Sequence, residues 1–388
     1  MNLQNIQCLA TLVNLQELQI SINNIQQLSS LRTHVQLTKL CASQNQIIDI
    51  ADIESLKQLK YLDISQNQGL FIDSLQQLLS ITHLNLSGCG LTYIFEIEKL
   101  TNLRYLDISY NNIVNTYIFE NLRHLEQLNI SGNENIDLSS LMHLSKLVKL
   151  QAVGVKIKEF NVDILESIKL LQELDISDNE NFKIVTLQNL VDLRILKIMW
   201  NKLNDLKLTL NLRNLQELYL TGNMYLDITP LQYLISLTKL SLQVCDVKEI
   251  SCLRPLINLK HLILSHNDII FVAPILSLQN LKHLGIVNNM IQDLSGLKMH
   301  QYYKQYDIGK QNIPSNNELI QAKTMFIIDQ TTTLLRQTKI QRLKFITKTL
   351  QTKQQLQNII KQLQHNQIQY TNNILRFFDH FYSNEVNQ

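Results

Sequence analysis

The chain has 388 residues and a formal net charge of +2, so its charge does not point to a nucleic acid or an anionic membrane as partner. No run approaches the roughly 20 apolar residues of a transmembrane helix, and the first 18 residues do not form a secretory signal. The five cysteines form no C-x-x-C pair. We therefore expect a protein of a reducing compartment, in the cytoplasm, with a nuclear or cytoskeletal location left open.

One nine-residue pattern recurs from near the start of the chain to about residue 297. Residues 59–67, LKYLDISQN, have the form L-x-x-L-x-L-x-x-N, and thirteen copies occur at steps of 22 residues, apart from one step of 24 after Val155. Leu62 and Ile64 alternate with Asp63, which is the period of a strand. We expect one short strand per repeat and a parallel sheet built by stacking, because no single repeat can bury its own leucines.

The last position of the pattern predicts a hydrogen-bonded ladder through the stack. An amide side chain both donates and accepts, so it can bridge the turns of adjacent repeats, whereas a thiol donates weakly and valine does neither. We therefore predict that Val155 interrupts the ladder. The position is held by Asn23, Asn45, Asn67, Cys89, Asn111, Asn133, Val155, Asn179, Asn201, Asn223, Cys245, Asn267 and Asn289.

These motifs resemble the leucine-rich repeat family, and the repeat length resembles its phosphatase-regulator and internalin types. The resemblance implies an α/β solenoid with a curved parallel β-sheet and short 3₁₀ or helical segments on the convex side. The longer repeat has room for a true helical turn within residues 162–171. We expect the solenoid to span residues 1–297, followed by a cap and connector at 298–330.

Residues 331–388 differ from the repeats and form the third predicted region. Apolar residues at helical spacing predict an amphipathic helical tail. The tail is basic, with eight Lys or Arg residues and only two acidic residues. Such a tail suits either a solvated helix beside the solenoid or a segment making a peripheral membrane, calmodulin-like or partner-helix contact.

The first candidate binding site lies where repeats nine and ten depart from the common pattern. The second, third and fourth variable positions of each repeat are expected to face outward on the concave side, and the fourth is usually serine. Repeat nine instead places Ile195, Lys197 and Met199 outward with Trp200 at the rim, and Tyr219 follows beside Lys197. Large side chains beside a cation are typical of binding hot spots. The alternative is that Trp200 packs locally against a loop.

Two further surfaces are candidates. Tyr61, Asp63, Tyr105 and Asp107 would offer rings and carboxylates to a basic partner. The third surface is the pair His261 and His283, together with His266, which lacks a cysteine or carboxylate to complete a metal site. We expect no metal and no cofactor.

The sequence contains no nucleotide-binding loop, H-E-x-x-H helix or nucleophile elbow, so we do not expect an enzyme. We predict a non-catalytic scaffold or adaptor that holds a protein partner on the concave face. A regulatory subunit of a protein phosphatase and an extracellular internalin-like adhesin are the alternatives. No residue-level match supports carrying over phosphatase-contacting positions.

Overall fold

The repeats form a single parallel sheet in which strands follow one another in chain order. The computed structural model describes residues 3–134, 136–156, 162–179, 187–209, 211–292 and 305–307. Within them, neighbouring strands pair in a constant register, so that Leu62 lies beside Leu40 and Leu84. The predicted leucine-rich repeat architecture, with its curved sheet, is confirmed.

Each described strand is three residues long. Their bounds are β1 Glu17–Gln19, β2 Lys39–Cys41, β3 Tyr61–Asp63, β4 His83–Asn85, β5 Tyr105–Asp107, β6 Gln127–Asn129, β7 Lys149–Gln151, β8 Glu173–Asp175, β9 Ile195–Lys197, β10 Glu217–Tyr219, β11 Lys239–Ser241, β12 His261–Ile263, β13 His283–Gly285 and β14 Gln305–Asp307. The thirteen predicted strands are all present. The sequence pattern missed the fourteenth, which pairs with β13 beyond the predicted end of the solenoid at residue 297.

Short 3₁₀ segments return the chain to the next strand. They span Gln7–Leu9, Ser29–Leu31, Ala51–Ile53, Asp73–Gln77, Phe95–Ile97, Tyr117–Glu120, Ser139–His143, Leu187–Asn189, Lys207–Thr209, Thr229–Tyr233, Ser251–Leu253 and Ala273–Ser277. The longer repeat instead contains the helix α1, Val162–Ser167, as its extra length predicted. Apolar residues every three positions bury one face of these turns, for example Ile53 and Leu56.

Asparagine side chains join the turns of successive repeats. Asn67 donates from Nδ2 to the carbonyl oxygens of Ile64 and Ser65 in its own turn and of Ala42 in the preceding repeat, at 2.8, 3.2 and 3.1 Å. Its Oδ1 accepts the Ile47 amide at 2.9 Å. One amide therefore satisfies buried backbone groups of two repeats at once.

Cysteine or valine replaces asparagine at three ladder positions, and the hydrogen bonds there differ accordingly. The Cys89 thiol donates to the Ile64 carbonyl at 3.4 Å, and burial raises its pKa to about 11, so the thiol stays protonated. Val155 is buried and contributes no side-chain hydrogen bond, because it has no polar group. The Asn179 amide bridges the longer repeat by donating to the Ala152 carbonyl at 2.8 Å.

The chain divides into two units, residues 1–314 and 315–388. The second unit lies outside the described residues, as does most of the predicted cap and connector at 298–330. The domain boundaries at 297 and 330 and the tail contact expected of 331–388 stay predictions. Within the described residues, no helix has both the length and the apolar content required to cross a bilayer.

Candidate functional site

Each of the strands β1 to β13 presents two side chains on the concave face of the sheet, one on either side of its central leucine. The first outward column runs through Glu17, Lys39, Tyr61, His83, Tyr105, Gln127, Lys149, Glu173, Ile195, Glu217, Lys239, His261 and His283. The second outward column runs through Gln19, Cys41, Asp63, Asn85, Asp107, Asn129, Gln151, Asp175, Lys197, Tyr219, Ser241, Ile263 and Gly285.

The third column predicted to face outward lies two residues after each strand and is mostly serine. Its serines are buried or half-buried, and several hydrogen-bond to the second column. The Ser109 hydroxyl donates to Oδ1 of Asp107 at 2.6 Å, and the Ser109 amide donates to the same atom at 2.9 Å. Met199 occupies this column and is half-buried as well, so it presents only part of its side chain.

Three rings stack along the first outward column at β3 to β5. The centroids of Tyr61 and His83 are 6.0 Å apart, as are those of His83 and Tyr105, with interplanar angles of 25° and 19°. Lys39 Nζ lies 5.2 Å from the Tyr61 ring centroid. Burial, with the charge of Asp107, raises the pKa of Tyr105 to about 12, so its hydroxyl remains a donor at neutral pH. His83 was missed, although it follows Tyr61 by one repeat length.

The two carboxylates of this surface differ in availability. Asp107 is 9% exposed, and its Oδ2 accepts from Asn129 Nδ2 at 3.0 Å while Oδ1 accepts both bonds from Ser109. Asp63 is half-buried; Ser65 occupies its Oδ1, and Oδ2 has no donor among the described residues. Contrary to the prediction, Asp107 stabilises its own turn and does not offer a carboxylate to a partner.

Charges on β7 to β9 compensate one another. Lys197 Nζ lies 3.5 Å from Glu173 Oε1 and 3.7 Å from Asp175 Oδ2, and Lys149 Nζ lies 3.0 Å from the other Glu173 oxygen. Lys197 was predicted to offer a cation to a partner. Its charge is instead balanced by the preceding strand, because the register places it directly beside Asp175.

Tyr219 on β10 lies in register with Lys197, and its hydroxyl donates to Glu217 Oε2 at 2.8 Å. Burial and this hydrogen bond raise the pKa of Tyr219 to about 12. Burial acts to raise the pKa of Glu217, but hydrogen bonds from Lys239 and Tyr219 outweigh it and lower that pKa. The hydroxyl of Tyr219 is thus engaged, whereas its ring and the neighbouring Ile195 are half-exposed apolar surface.

Trp200 begins a turn whose backbone is left-handed, with φ of 58°. The residue before every ladder position has positive φ, a conformation that glycine and asparagine adopt most easily. A Cβ added at Gly222, one repeat later, would lie 2.2 Å from Trp200 Cε3, so the ring lies over a glycine that leaves space for it. Trp200 thus packs locally, yet it is still 46% exposed.

Residues 35–78, 79–118 and 257–299 match the family described as Leucine Rich repeats (2 copies). A leucine-rich repeat protein of Leptospira interrogans shares the fold with a TM-score of 0.71 and 25% identity, over 83% of this chain and 85% of that one. The chain is a leucine-rich repeat protein. No curated protein matches it in sequence.

Two further solved leucine-rich repeat structures share the fold at lower identity. An internalin of Listeria monocytogenes has a TM-score of 0.60 and 23% identity, over 78% of this chain and 83% of that one. The plant peptide hormone receptor RGFR1, solved in complex with RGF2, has a TM-score of 0.59 and 22% identity over 81% of this chain. This chain covers 55% of the receptor, and these identities show the fold alone.

The histidine pair of the leucine-rich repeat sheet lies on β12 and β13. The rings of His261 and His283 stack with centroids 4.3 Å apart and an interplanar angle of 11°. Burial and the neighbouring His283 lower the pKa of His261. His266 lies at the rim instead, 3.2 Å from an Asn288 amide nitrogen. Within the described ranges, no three His, Cys, Asp or Glu side chains converge as metal ligands would.

Proposed function

We propose that this leucine-rich repeat protein is a non-catalytic scaffold that holds a protein partner on the concave face around β9 and β10. The observation that carries the proposal is the exposure of Trp200, the one tryptophan of the sequence, at the rim beside the partly exposed Ile195 and Tyr219. An exposed indole is a typical anchor in a protein interface.

The side chains near Trp200 also suit binding of a protein partner. Ile195 and Tyr219 continue the apolar surface from the rim onto the sheet, and both are partly exposed. The lysines and carboxylates of β7 to β9 are paired with one another. Binding at this surface therefore depends on burying rings and aliphatic groups, and a partner needs no large opposite charge there.

The rings at β3 to β5 extend the proposed surface toward the start of the solenoid. Tyr61, His83 and Tyr105 form a continuous stack, and Asp63 keeps one carboxylate oxygen without a donor among the described residues. A long partner could donate to Asp63 while it packs on the stack. Tyr61 and Asp63 are therefore secondary contacts in this proposal.

A cytoplasmic location is part of the proposal, and free thiols support it. Cys89 and Cys245 are unpaired, and each donates from sulfur to a backbone carbonyl inside the ladder. These donors are present only while the thiols are reduced. Fractionation of the cells that make the protein tests this part, and recovery only in the secreted or surface fraction would contradict it.

The binding surface is tested by capture on the immobilised full chain. We compare wild type with a Trp200→Asn/Tyr219→Ser variant, which removes both rings but keeps residues suited to their backbone. Tyr233→Ser is the matched control, because Tyr233 is an exposed ring on the 3₁₀ segment Thr229–Tyr233. The proposal expects a protein that is held by wild type and the control and lost by the double variant. Equal retention by all three would overturn it.

A further inference from the structure

A recurring cap opens the 3₁₀ segments on the side of the solenoid away from the concave face. Before six of the twelve described 3₁₀ segments, the residue two positions earlier is Asp or Asn, and its side-chain oxygen accepts the first backbone amide hydrogen of the segment. The Asp49 carboxylate, for example, accepts the Ala51 amide at 2.9 Å. The cap is formed by Asn5, Asp49, Asn115, Asp137, Asp205 and Asp227.

In two neighbouring repeats, an exposed aromatic residue occupies the capping position. Phe71 and Tyr93 occupy the capping position before the segments that begin at Asp73 and Phe95. Neither ring can accept the amide hydrogen as a carboxylate does. They are 64% and 63% exposed, so they are not part of the core either. The local fold would be better served by aspartate at both positions.

Two more aromatic residues extend the cluster. Phe95 and Tyr117 begin their 3₁₀ segments, a position where most other repeats place small or polar residues such as Ala51. The ring centroids of Tyr93 and Phe95 are 5.4 Å apart, and those of Phe95 and Tyr117 are 5.6 Å apart. We call Phe71, Tyr93, Phe95 and Tyr117 the lateral aromatic ladder. All four are exposed; Tyr93, Phe95 and Tyr117 stack, and Phe71 holds the position of Tyr93 in the preceding repeat. Exposed apolar side chains grouped in this way are unusual on a protein surface.

The segments that carry the lateral aromatic ladder are acidic. Residues 73–77, 95–99 and 117–120 contain four carboxylates, Asp73, Glu96, Glu98 and Glu120, against the single ammonium group of Lys99. Glu96 also keeps its Oε2 buried, with no hydrogen-bond donor among the described residues. A cationic partner would therefore meet complementary charge around the rings.

We propose that the lateral aromatic ladder is a second docking surface, which binds a protein segment combining Arg or Lys with apolar side chains. Guanidinium groups pack on aromatic rings and also pair with carboxylates, so a basic and apolar segment matches both features. This surface lies on the 3₁₀ side of the repeats, whereas Trp200 and Tyr219 belong to the concave face and its rim. The two sites do not depend on each other.

Selection of peptides tests the surface and the chemistry of its occupant together. A phage library of random 12-residue peptides is selected on the full chain, and the enriched peptides are titrated by fluorescence anisotropy. We expect enrichment of Arg or Lys together with Leu or aromatic residues. The Phe71→Asp/Tyr93→Asp variant should bind these peptides at least ten-fold more weakly, whereas Trp200→Asn should bind them normally. Raised salt should weaken binding.

Phe271→Asp is the matched control. Phe271 holds the same capping position before Ala273 and is equally exposed, but its segment carries no charged residue. Aspartate should restore the cap in both variants, so both melting temperatures should stay level or rise. Only the Phe71→Asp/Tyr93→Asp variant should lose binding of the peptides. The proposal would be overturned if the library yielded acidic peptides or no peptides. It would also be overturned if the selected peptides bound the Phe71→Asp/Tyr93→Asp variant as tightly as the wild type. A lowered melting temperature of the ladder variant would overturn it too, since the rings would then serve folding.

Discussion

Strands β3–β5 and β8–β10 use the same two outward columns of one sheet, yet they leave different groups available. In β3–β5, Asp107 is satisfied inside its own turn, and the rings of Tyr61 and Tyr105 stack along the sheet through His83. In β8–β10, the charges pair across strands, and Trp200 at the rim is 46% exposed.

The difference shows that an outward position is not by itself a binding position. A carboxylate followed two residues later by serine is drawn into the turn, as Asp107 is by Ser109. A lysine beside a carboxylate in the preceding strand is neutralised, as Lys197 is by Asp175. Side chains that cannot hydrogen-bond, such as Ile195, have no internal partner to occupy them and stay available to another protein.

The largest expected effect concerns the satisfied carboxylate. Asp107→Ala would leave the Ser109 amide, the Ser109 hydroxyl and the Asn129 amide without their buried acceptor, and it should lower the free energy of unfolding by about 2–3 kcal/mol. Asp63→Ala removes a more exposed carboxylate and should cost about 1 kcal/mol. Urea denaturation of both variants measures the difference. Equal costs would mean that the two regions treat their carboxylates alike.

The next effect concerns binding in the second region. Trp200→Ala and Tyr219→Ala should each weaken binding of the captured protein partner by about 2 kcal/mol, because rigid rings buried in an interface supply most of its energy. Neither change should lower stability appreciably, since both residues lie outside the leucine core. Calorimetric titration beside thermal melts separates the two effects. Binding that is lost only together with folding would refute the hot-spot interpretation.

Strand register and the asparagine ladder could be predicted from the sequence, because both follow from a repeat of fixed length. The 22-residue step alone determines which residues lie side by side, and it would also have shown that His83 lies between Tyr61 and Tyr105. It would have shown Gly222 next to Trp200 as well, and a glycine there is the signal that a ring lies above it.

Burial and pairing of the outward side chains could not be predicted in the same way. The pattern does not show that the serines after the strands are buried or half-buried, or that Ser109 hydrogen-bonds to Asp107. It also does not show how far a lysine reaches toward the next strand, which is a matter of side-chain conformation. The exposed rings Phe71 and Tyr93 lie outside the concave face, at a position where six other 3₁₀ segments are preceded by Asp or Asn, so the strand pattern does not predict them.

A smaller effect concerns Val155, which separates the two regions where the ladder lacks a polar side chain. Val155→Asn should raise the free energy of unfolding by about 0.5–1.5 kcal/mol if its amide donates to the Ile130 and Ala152 carbonyls, as Asn67 does at its own rung. Cys89→Asn is the control and should gain less, because the thiol already donates there. Urea denaturation measures both. No gain at Val155 would show that the valine packs too well to replace.

The smallest effect concerns the paired charges. Lys197→Met keeps the aliphatic part of the side chain and removes the ammonium group, which should cost about 0.5–1 kcal/mol at low salt. Glu173 would retain Lys149, so only part of the network is lost. Lys207→Met removes a far more exposed ion pair with Asp205 and should change stability too little to measure. Because salt screens such pairs, the cost of Lys197→Met should shrink between 0.05 and 0.5 M salt, conditions that span Debye lengths of roughly 14 to 4 Å. A cost that does not change with salt would mean that Lys197 acts through packing, and its ammonium group would then be available to a partner after all.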